Sequence, residues 1–209
     1  IEKMLASQNL LVRMLNDTQA FLHLVRKNSE KLSEELKQVR VLSLTDELTE
    51  LPNRRAFLRR LEDEIGRAER YESPLTIAIL DLDNFKQIND THGHLFGAHV
   101  IGETGRQIAR VLGGKGRACR FGGDEFSAFL PGHDLSSAQA VAEQIRVAVE
   151  TAGMMKDGIE LKPTISIGVA AAPRNGGDFE TLVEAADRAL YRSKDGGRNR
   201  VSVAGDDAQ

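Results

Sequence analysis

The chain has 209 residues, 41% hydrophobic and 28% charged, with a net charge of −3. That suits one ordinary globular domain plus an extra element, and the mixed charge argues against a general nucleic-acid surface. No apolar run approaches the roughly 20 residues of a bilayer span, no secretory pattern opens the chain, and the single cysteine, Cys119, excludes an internal disulfide, so a soluble, cytoplasmic protein is expected.

The opening IEKMLASQ has no Met and no helix cap, which suggests a fragment of a longer protein with a sensor domain upstream. Residues 1–44 hold no Pro and no Gly, and apolar side chains recur at alternating spacings of three and four. One seam runs Ile1, Gln8, Leu15, Leu22, Ser29 and Leu36; the other runs Met4, Leu11, Thr18, Val25, Leu32 and Val39; nine of these twelve are apolar. A helix of about 40 residues at 1.5 Å each spans roughly 60 Å, longer than a domain, so a parallel dimeric coiled coil is expected in preference to a helix packed on its own domain. Gln8, Thr18 and Ser29 interrupt the seam, and Leu10, Val12, Phe21 and Leu24 widen the stripe enough for a four-helix contact.

From residue 45 the character changes. SLTDELTELPNRRAF holds turn formers, and Asn53 stands where a helix cap belongs. RRAFLRRLEDEIGRAERY has helical spacing, PLTIAILDLDNF is a β-rich run ending in acids, and LFGAHVIGETGRQIARVL reads as a helix. RACRF and EFSAFL are short strands joined at Gly122 and Gly123; a capped helix, SSAQAVAEQIRVAVETA, follows. KPTISIGVAAA is a strand, DFETLVEAADRALYRSK a helix with an acidic start, NRVSVA a last strand, and residues 205–209 a disordered tail. Strands and helices alternate while the glycine pair imposes an antiparallel hairpin. The expected fold class is therefore α/β (α+β): a mixed central sheet with helices on both faces.

RFGGDEF raises a local question, because two glycines and two adjacent acids interrupt an apolar run. Gly122 and Gly123 permit a tight two-residue turn and let another molecule approach the backbone. Asp124 and Glu125 then sit at the lip of the sheet. A solvated hairpin tip is the bland alternative. A second acidic strand end, Asp81 and Asp83 in AILDLDNF, weighs against it, since a buried acid is costly unless paired or bound to a cation. Both acids share one side if the strand continues through them. Magnesium takes a few carboxylates together with phosphate oxygens and water. Lys86, and Lys194, Arg198 and Arg200 in YRSKDGGRNRV, supply charge able to neutralise a polyphosphate; a cation-favouring helix C-terminus is the bland reading of Lys194.

Six stretches, DELTELPNRR, DLDNFKQIND, GHLFG, RFGGDEF, TISIGVA and ADRALYRSKDGGRNRV, resemble in order and spacing the GGDEF domain, over residues 45 to about 203. The resemblance implies a nucleotidyl-cyclase-like fold at 45–204 behind a coiled-coil helix at 1–44, and diguanylate cyclase activity that joins two GTP molecules into cyclic di-GMP and releases two pyrophosphates. It implies magnesium, or manganese, on Asp81, the Leu82 carbonyl, Asp124 and Glu125, with Asp124 and Glu125 also activating the ribose 3′-hydroxyl. Lys86, Lys194 and Arg198 match triphosphate contacts, Gly122 and Gly123 make room for nucleotide, Asn89 matches a guanine contact, and His94 lies in the same pocket segment. One GTP per domain implies a homodimer of facing half-sites, which gives the coiled coil a purpose. Twist or register shift of the stalk would then be a switch.

Three departures bear on this expectation. Residues 113–116, GGKG, lack the Arg and Asp of the family's product-binding inhibitory motif, so tight product inhibition through that site is not expected. Ala98 stands where the family has an Asp that accepts hydrogen bonds from guanine, a loss of about 1–3 kcal/mol. Some relatives lacking that Asp also accept ATP and make cyclic GMP–AMP; His99 or Glu103 are the candidate substitutes. Glu50 stands where the family prefers Gly. A relaxed dinucleotide cyclase and a degenerate GTP-binding or interaction domain are thus the alternatives to a strict cyclase.

Overall fold

The computed structural model of the chain describes residues 14, 18, 19, 21–31 and 44–205. Contacts divide the chain into two compact units, residues 1–43 and 44–209. The described residues of the first are helical, with α1 at 21–31, and expose Met14, Phe21, Leu22, Leu24 and Val25. Of the expected seam, Leu22, Val25 and Ser29 fall on α1 and Thr18 is helical ahead of it; the remaining seam positions, and residues 206–209 of the expected tail, lie outside the described residues.

The second unit runs α2 (Arg54–Arg70), β1 (Leu75–Leu82), α3 (Phe85–His92), α4 (His94–Leu112), β2 (Arg117–Gly122), β3 (Glu125–Pro131), α5 (Leu135–Thr151), β4 (Met154–Lys156), β5 (Ile159–Leu161), β6 (Ile165–Ala172), α6 (Phe179–Asp195) and β7 (Val201–Val203). The main sheet has the order β2-β3-β1-β6-β7, antiparallel except for the parallel pair β6–β7. This is the mixed sheet that the sequence predicts. Alternation along the central strand β1 gives each face a core. Ala78, Leu80 and Leu82 join Phe126, Ala128, Ile167 and the apolar faces of α4 and α5. Leu75 and Ile77 join Phe129, Cys119 and the inner faces of α2 and α6 on the other side. Among the described residues no helix is long and apolar enough to cross a membrane.

The helix starts follow from short polar side chains. Asn53 accepts from the Ala56 amide at 3.0 Å, Asp134 from Ser137 at 2.8 Å and Asp178 from Thr181 at 2.9 Å, each satisfying a donor that the first helical turn leaves unpaired. Helix α6 lies directly on β6 at Gly168, where a Cβ would collide with the Ala186 carbonyl and the Leu190 backbone. That close approach fixes where the end of α6, with Lys194, meets the sheet.

Three local features differ from expectation. Residues 85–92 form a separate short helix, α3, directly after β1. Residues 154–161 form a two-stranded hairpin, β4–β5, turning at Asp157 and Gly158 with φ of 50° and 79°. The β2–β3 turn falls on Gly123 and Asp124, one residue later than the glycine pair predicts. A bulge between Arg120 and Gly122 shifts the register so that Gly122 still pairs with Glu125, and of the two glycines only Gly123 has positive φ, at 52°.

This hairpin is clamped from behind. Arg120 donates to the Gly123 carbonyl from Nε at 3.0 Å and Nη2 at 2.8 Å, and its Nη1 reaches Asp46 Oδ2 at 3.2 Å. Asp46 also accepts from the Thr49 amide at 2.9 Å and hydroxyl at 2.8 Å. Burial alone would raise the Asp46 carboxyl; the Thr49 hydrogen bonds and the Arg120 charge outweigh it and hold the group below the usual carboxylate range. The turn of residues 44–53 is thereby locked to the acidic hairpin, and Asn53 forms an isolated parallel bridge with Arg120.

Glu50, in the same turn, has φ 59°. A left-handed non-glycine residue costs about 1–2 kcal/mol, and the Glu50 side chain is exposed. Glu50→Gly is expected to raise stability by about 0.5–1 kcal/mol, after allowing for the extra freedom glycine gives the unfolded chain. A melting temperature equal to or below that of the native protein would count against the strain. Arg120→Ala is expected to cost about 1–3 kcal/mol near neutral pH, because a partly buried carboxylate loses its charged partner. A carboxyl held low stabilises the fold above its unfolded pKa and loses that contribution as pH falls through the folded value. The gap between native and variant urea midpoints should therefore narrow progressively below about pH 4, and a gap independent of pH would contradict the clamp.

Candidate active site

Asp81 is the seventh residue of the eight-residue strand β1 and only 8% exposed. It lies opposite Glu125, the first residue of β3, in the antiparallel register, and the next amide, Leu82 N, donates to the Asp124 carbonyl at 3.3 Å. Two strand ends thus bring Asp81, Leu82, Asp124 and Glu125 to one edge of the sheet. Lys194, in the last turn of α6, places Nζ 2.9 Å from Asp81 Oδ2. Neighbouring Ser193 anchors that turn by donating to the Ile167 carbonyl at 2.8 Å, and lies 2.8 Å from the Ser202 hydroxyl. Burial pushes the Asp81 carboxyl up; Lys194 opposes this, Asp124 and Glu125 reinforce it, and the net direction is upward.

Beside these groups the backbone is bare. A Cβ added at Gly122 or Gly123 would meet nothing within 4 Å, so packing does not require glycine there and the space stays open to a ligand. Among the described residues no three His, Cys, Asp or Glu side chains close into a ready metal cage. The donors at this edge are nevertheless hard oxygens, three carboxylates and a strand-end carbonyl, which suit a small divalent ion that completes its shell with phosphate and water. Their negative charges already act on one another at Asp81.

Asp83 does not share this edge. Strand β1 ends at Leu82, so alternation does not carry to Asp83. The Asp83 amide donates to the Thr164 carbonyl at 2.9 Å, and its carboxylate accepts from Thr164 Oγ1 at 2.8 Å, Ser166 Oγ at 2.6 Å and the Asn199 amide at 3.0 Å. It is an internal tie that joins β1, β6 and the turn after α6.

The other predicted residues lie on α3, on α4 and in the turn after α6. Lys86 is exposed on α3, and His94 is exposed at the first position of α4. Asn89 packs from α3 against Gly97 of α4, where any Cβ would strike its side-chain oxygen, and Ala98 is the next residue. Glu103, one of the candidate substitutes for the missing acid, is held by Arg106 Nη2 at 2.6 Å. His99 stands edge-on to Phe96 with ring centroids 6.4 Å apart. Arg198 is exposed in the turn after α6, with its amide donating to the Ser193 carbonyl at 2.9 Å. Cys119 is fully buried, and burial pushes its thiol up to about 12, so it is inert.

Two further residues brace the elements that carry these groups and have no sequence-predicted role. Arg120 holds the hairpin, and its signal is a charged residue inside an apolar strand, ACRF. Lys156 donates from the β4–β5 hairpin to the Leu95 carbonyl at 2.8 Å, fastening the start of α4, and nothing in the sequence pattern marks it.

Known proteins resemble the chain in sequence and in fold. Residues 43–200 match the family described as diguanylate cyclase, GGDEF domain. The diguanylate cyclase DgcP of Pseudomonas aeruginosa is 37% identical over 180 residues, covering 86% of this chain and 27% of DgcP. The solved structure of the coiled coil and GGDEF domain of DgcB from Caulobacter crescentus, in complex with c-di-GMP, is 37% identical with a TM-score of 0.82, covering 89% of this chain and 98% of that one. The diguanylate cyclase SiaD of Pseudomonas aeruginosa, solved with its activator SiaC, is 33% identical with a TM-score of 0.74, covering 97% of this chain and 80% of that one. The chain spans roughly a quarter to a half of the length of the curated relatives it matches. With the family match running from the Asp46 turn to the turn after α6, and the acidic hairpin and strand end set in one sheet edge between them, the chain belongs to the GGDEF family.

Proposed function

We propose that this chain is the catalytic module of a diguanylate cyclase, condensing two GTP molecules into cyclic di-GMP and two pyrophosphates in the cytoplasm. The observation that carries the reading is the sheet edge where buried Asp81 lies in register with Glu125, beside the Asp124 turn and 2.9 Å from Lys194. Asp81, the Leu82 carbonyl, Asp124 and Glu125 would hold magnesium, or manganese. The bound ion supplies charge neutralisation at the triphosphate. Lys86, Lys194 and Arg198 bind the phosphate oxygens, Gly122 and Gly123 leave the nucleotide room against the backbone, and Asn89 with His94 lines the base pocket.

The chemistry needs little beyond positioning and charge. A ribose 3′-oxygen forms a bond to the α-phosphorus of the second GTP as the bond to the β-phosphate breaks. The 3′-proton passes to the Asp124 and Glu125 carboxylates, and pyrophosphate leaves along the Lys and Arg side of the site. Each domain holds one GTP, so two copies must face one another. The heptad pattern of residues 1–44, and the coiled coil of DgcB, support a stalk that pairs them. A second reading, looser base choice, is favoured by the Ala98 position: no carboxylate stands there, and Glu103 is engaged by Arg106.

The test is one set of incubations with magnesium and GTP, ATP or both, with products identified by mass. Cyclic di-GMP is expected from GTP, with a minor mixed cyclic GMP–AMP when both are present and suppression of that product by Ala98→Asp. Asp81→Asn or Asp124→Asn should lower turnover on the order of a hundredfold or more with the fold intact. Native-level turnover in either variant would show that the metal site lies elsewhere, and no cyclic dinucleotide at all would leave a binding domain. Deleting residues 1–40 should make specific activity fall steeply on dilution, since the second half-site then arrives from bulk solution. Full activity of the dilute, shortened chain would remove the stalk from the pairing.

A further inference from the structure

The turn between α6 and β7 contains two consecutive non-glycine residues in the left-handed region, Arg198 at φ 65° and Asn199 at φ 46°. Asn tolerates this conformation; Arg gains nothing from it. Such backbone persists where its surroundings over-determine it. Arg198 is tied only locally, its amide donating to the Ser193 carbonyl at 2.9 Å and its carbonyl accepting from Arg200 Nε at 3.2 Å, and the contacts to distant parts of the fold fall on Asn199. Its amide donates to Asp83 Oδ2 at 3.0 Å. Its side-chain Nδ2 donates to Glu150 Oε1 at 2.7 Å, and its Oδ1 accepts from Arg146 Nη1 at 2.8 Å. Arg146 in turn pairs with Glu150 Oε2 at 2.7 Å and with Glu143 Oε1 at 2.7 Å, so the α5 end of the link is itself braced.

We propose that Asn199, held by the Arg146–Glu150 pair of α5 and by Asp83, is a positioning residue for triphosphate binding: it fixes the strained turn that presents Arg198. The proposal rests on the reading of Arg198 as a triphosphate contact. Asn199 joins three segments distant in sequence, through its amide, its Nδ2 and its Oδ1, each used once. An amide side chain is what the place requires, because it donates to one carboxylate and accepts from the guanidinium at the same time. Aspartate would keep the shape and the tolerance of positive φ but would face Glu150 with a second negative charge. Glycine would keep the backbone conformation and lose the anchor. The link to Asp83 places the same anchor directly behind the strand end that carries Asp81.

The experiment compares the full chain with Asn199→Gly, Asn199→Asp, Arg198→Ala and the double variant Arg198→Ala/Asn199→Gly. It reads KM and kcat for GTP, calorimetric binding of guanosine, and the melting temperature. Asn199→Gly and Asn199→Asp should each raise KM for GTP on the order of tenfold, with guanosine binding unchanged. The double variant should be no worse than Arg198→Ala alone, because both changes remove the same interaction. Glu150→Ala should follow the Asn199 variants, while Glu150→Gln, which keeps one acceptor for Asn199 Nδ2 but loses the ion pair with Arg146, should raise KM less than Glu150→Ala does. That pair on the helix surface also serves if Asn199→Gly fails to fold. If Arg198→Ala weakens GTP while the Asn199 and Glu150 variants do not, or if the losses add, the positioning role is overturned. If Arg198→Ala leaves the KM for GTP unchanged, the triphosphate reading of Arg198 falls, and this proposal with it. A loss shared equally by guanosine would make Asn199 merely structural.

Discussion

A carboxylate buried at the end of a central strand is the constraint around which this domain is arranged. Asp81 is 8% exposed, and burial of an ionised group is costly unless another charge or a cation answers it. Lys194 answers it at 2.9 Å, but only because α6 is pressed onto β6 at Gly168 and its last turn is tied down by Ser193. The position of one lysine therefore depends on a strand glycine, a serine hydroxyl and the packing of a whole helix. Asp124 and Glu125 add like charge beside Asp81, which makes the edge more demanding of cations.

The loops around this edge are held by polar ties rather than by apolar packing. Arg120 clamps the hairpin to the Asp46 turn, Asp83 collects three donors behind the strand end, and Lys156 fastens the start of α4. Each tie joins a loop to a strand or helix already fixed by the core. Sites whose groups must stay within fractions of an ångström are built in this way, with a rigid scaffold and hydrogen-bonded supports.

Much of this was legible in the sequence, for physical reasons that also explain the remainder. The mixed sheet follows from the alternation of strands and helices together with the glycine-bearing hairpin, and Asn53 caps its helix as the local signal indicates. The cap of α5 is Asp134, two residues before the serine pair that opens its expected segment, and the acidic start of α6 is its cap, Asp178. Helix α3 carries no such signal: its cap, Asn84, makes no side-chain capping bond. The β4–β5 strands are three residues each, too short for a pattern, although Asp157–Gly158 is a recognised turn pair. Asp83 looks like a partner of Asp81 only while the strand is assumed to continue. The supports are least legible, since Asp46 and Arg120 lie 74 residues apart and Arg146 and Asn199 lie 53 apart, and no periodicity reports such pairs.

Charge balance shows why metal and nucleotide would have to arrive together under the proposed function. The edge carries three acids, Asp81, Asp124 and Glu125, and the cations read as phosphate contacts are also three, Lys86 on α3, Lys194 at the end of α6 and Arg198 in the turn after it. Before substrate enters, the set is neutral as a whole, with Lys194 committed to Asp81. A triphosphate alone would bring about four negative charges to a place where three carboxylates already repel them. A divalent ion alone would compete with Lys194 for Asp81. Supplied together, the ion would be held by the carboxylates and Lys194 would be left for the phosphates, so each ligand would remove the obstacle to the other. Under that reading, cooperativity between metal and nucleotide would follow from the placement of one ion pair, without a change in the fold.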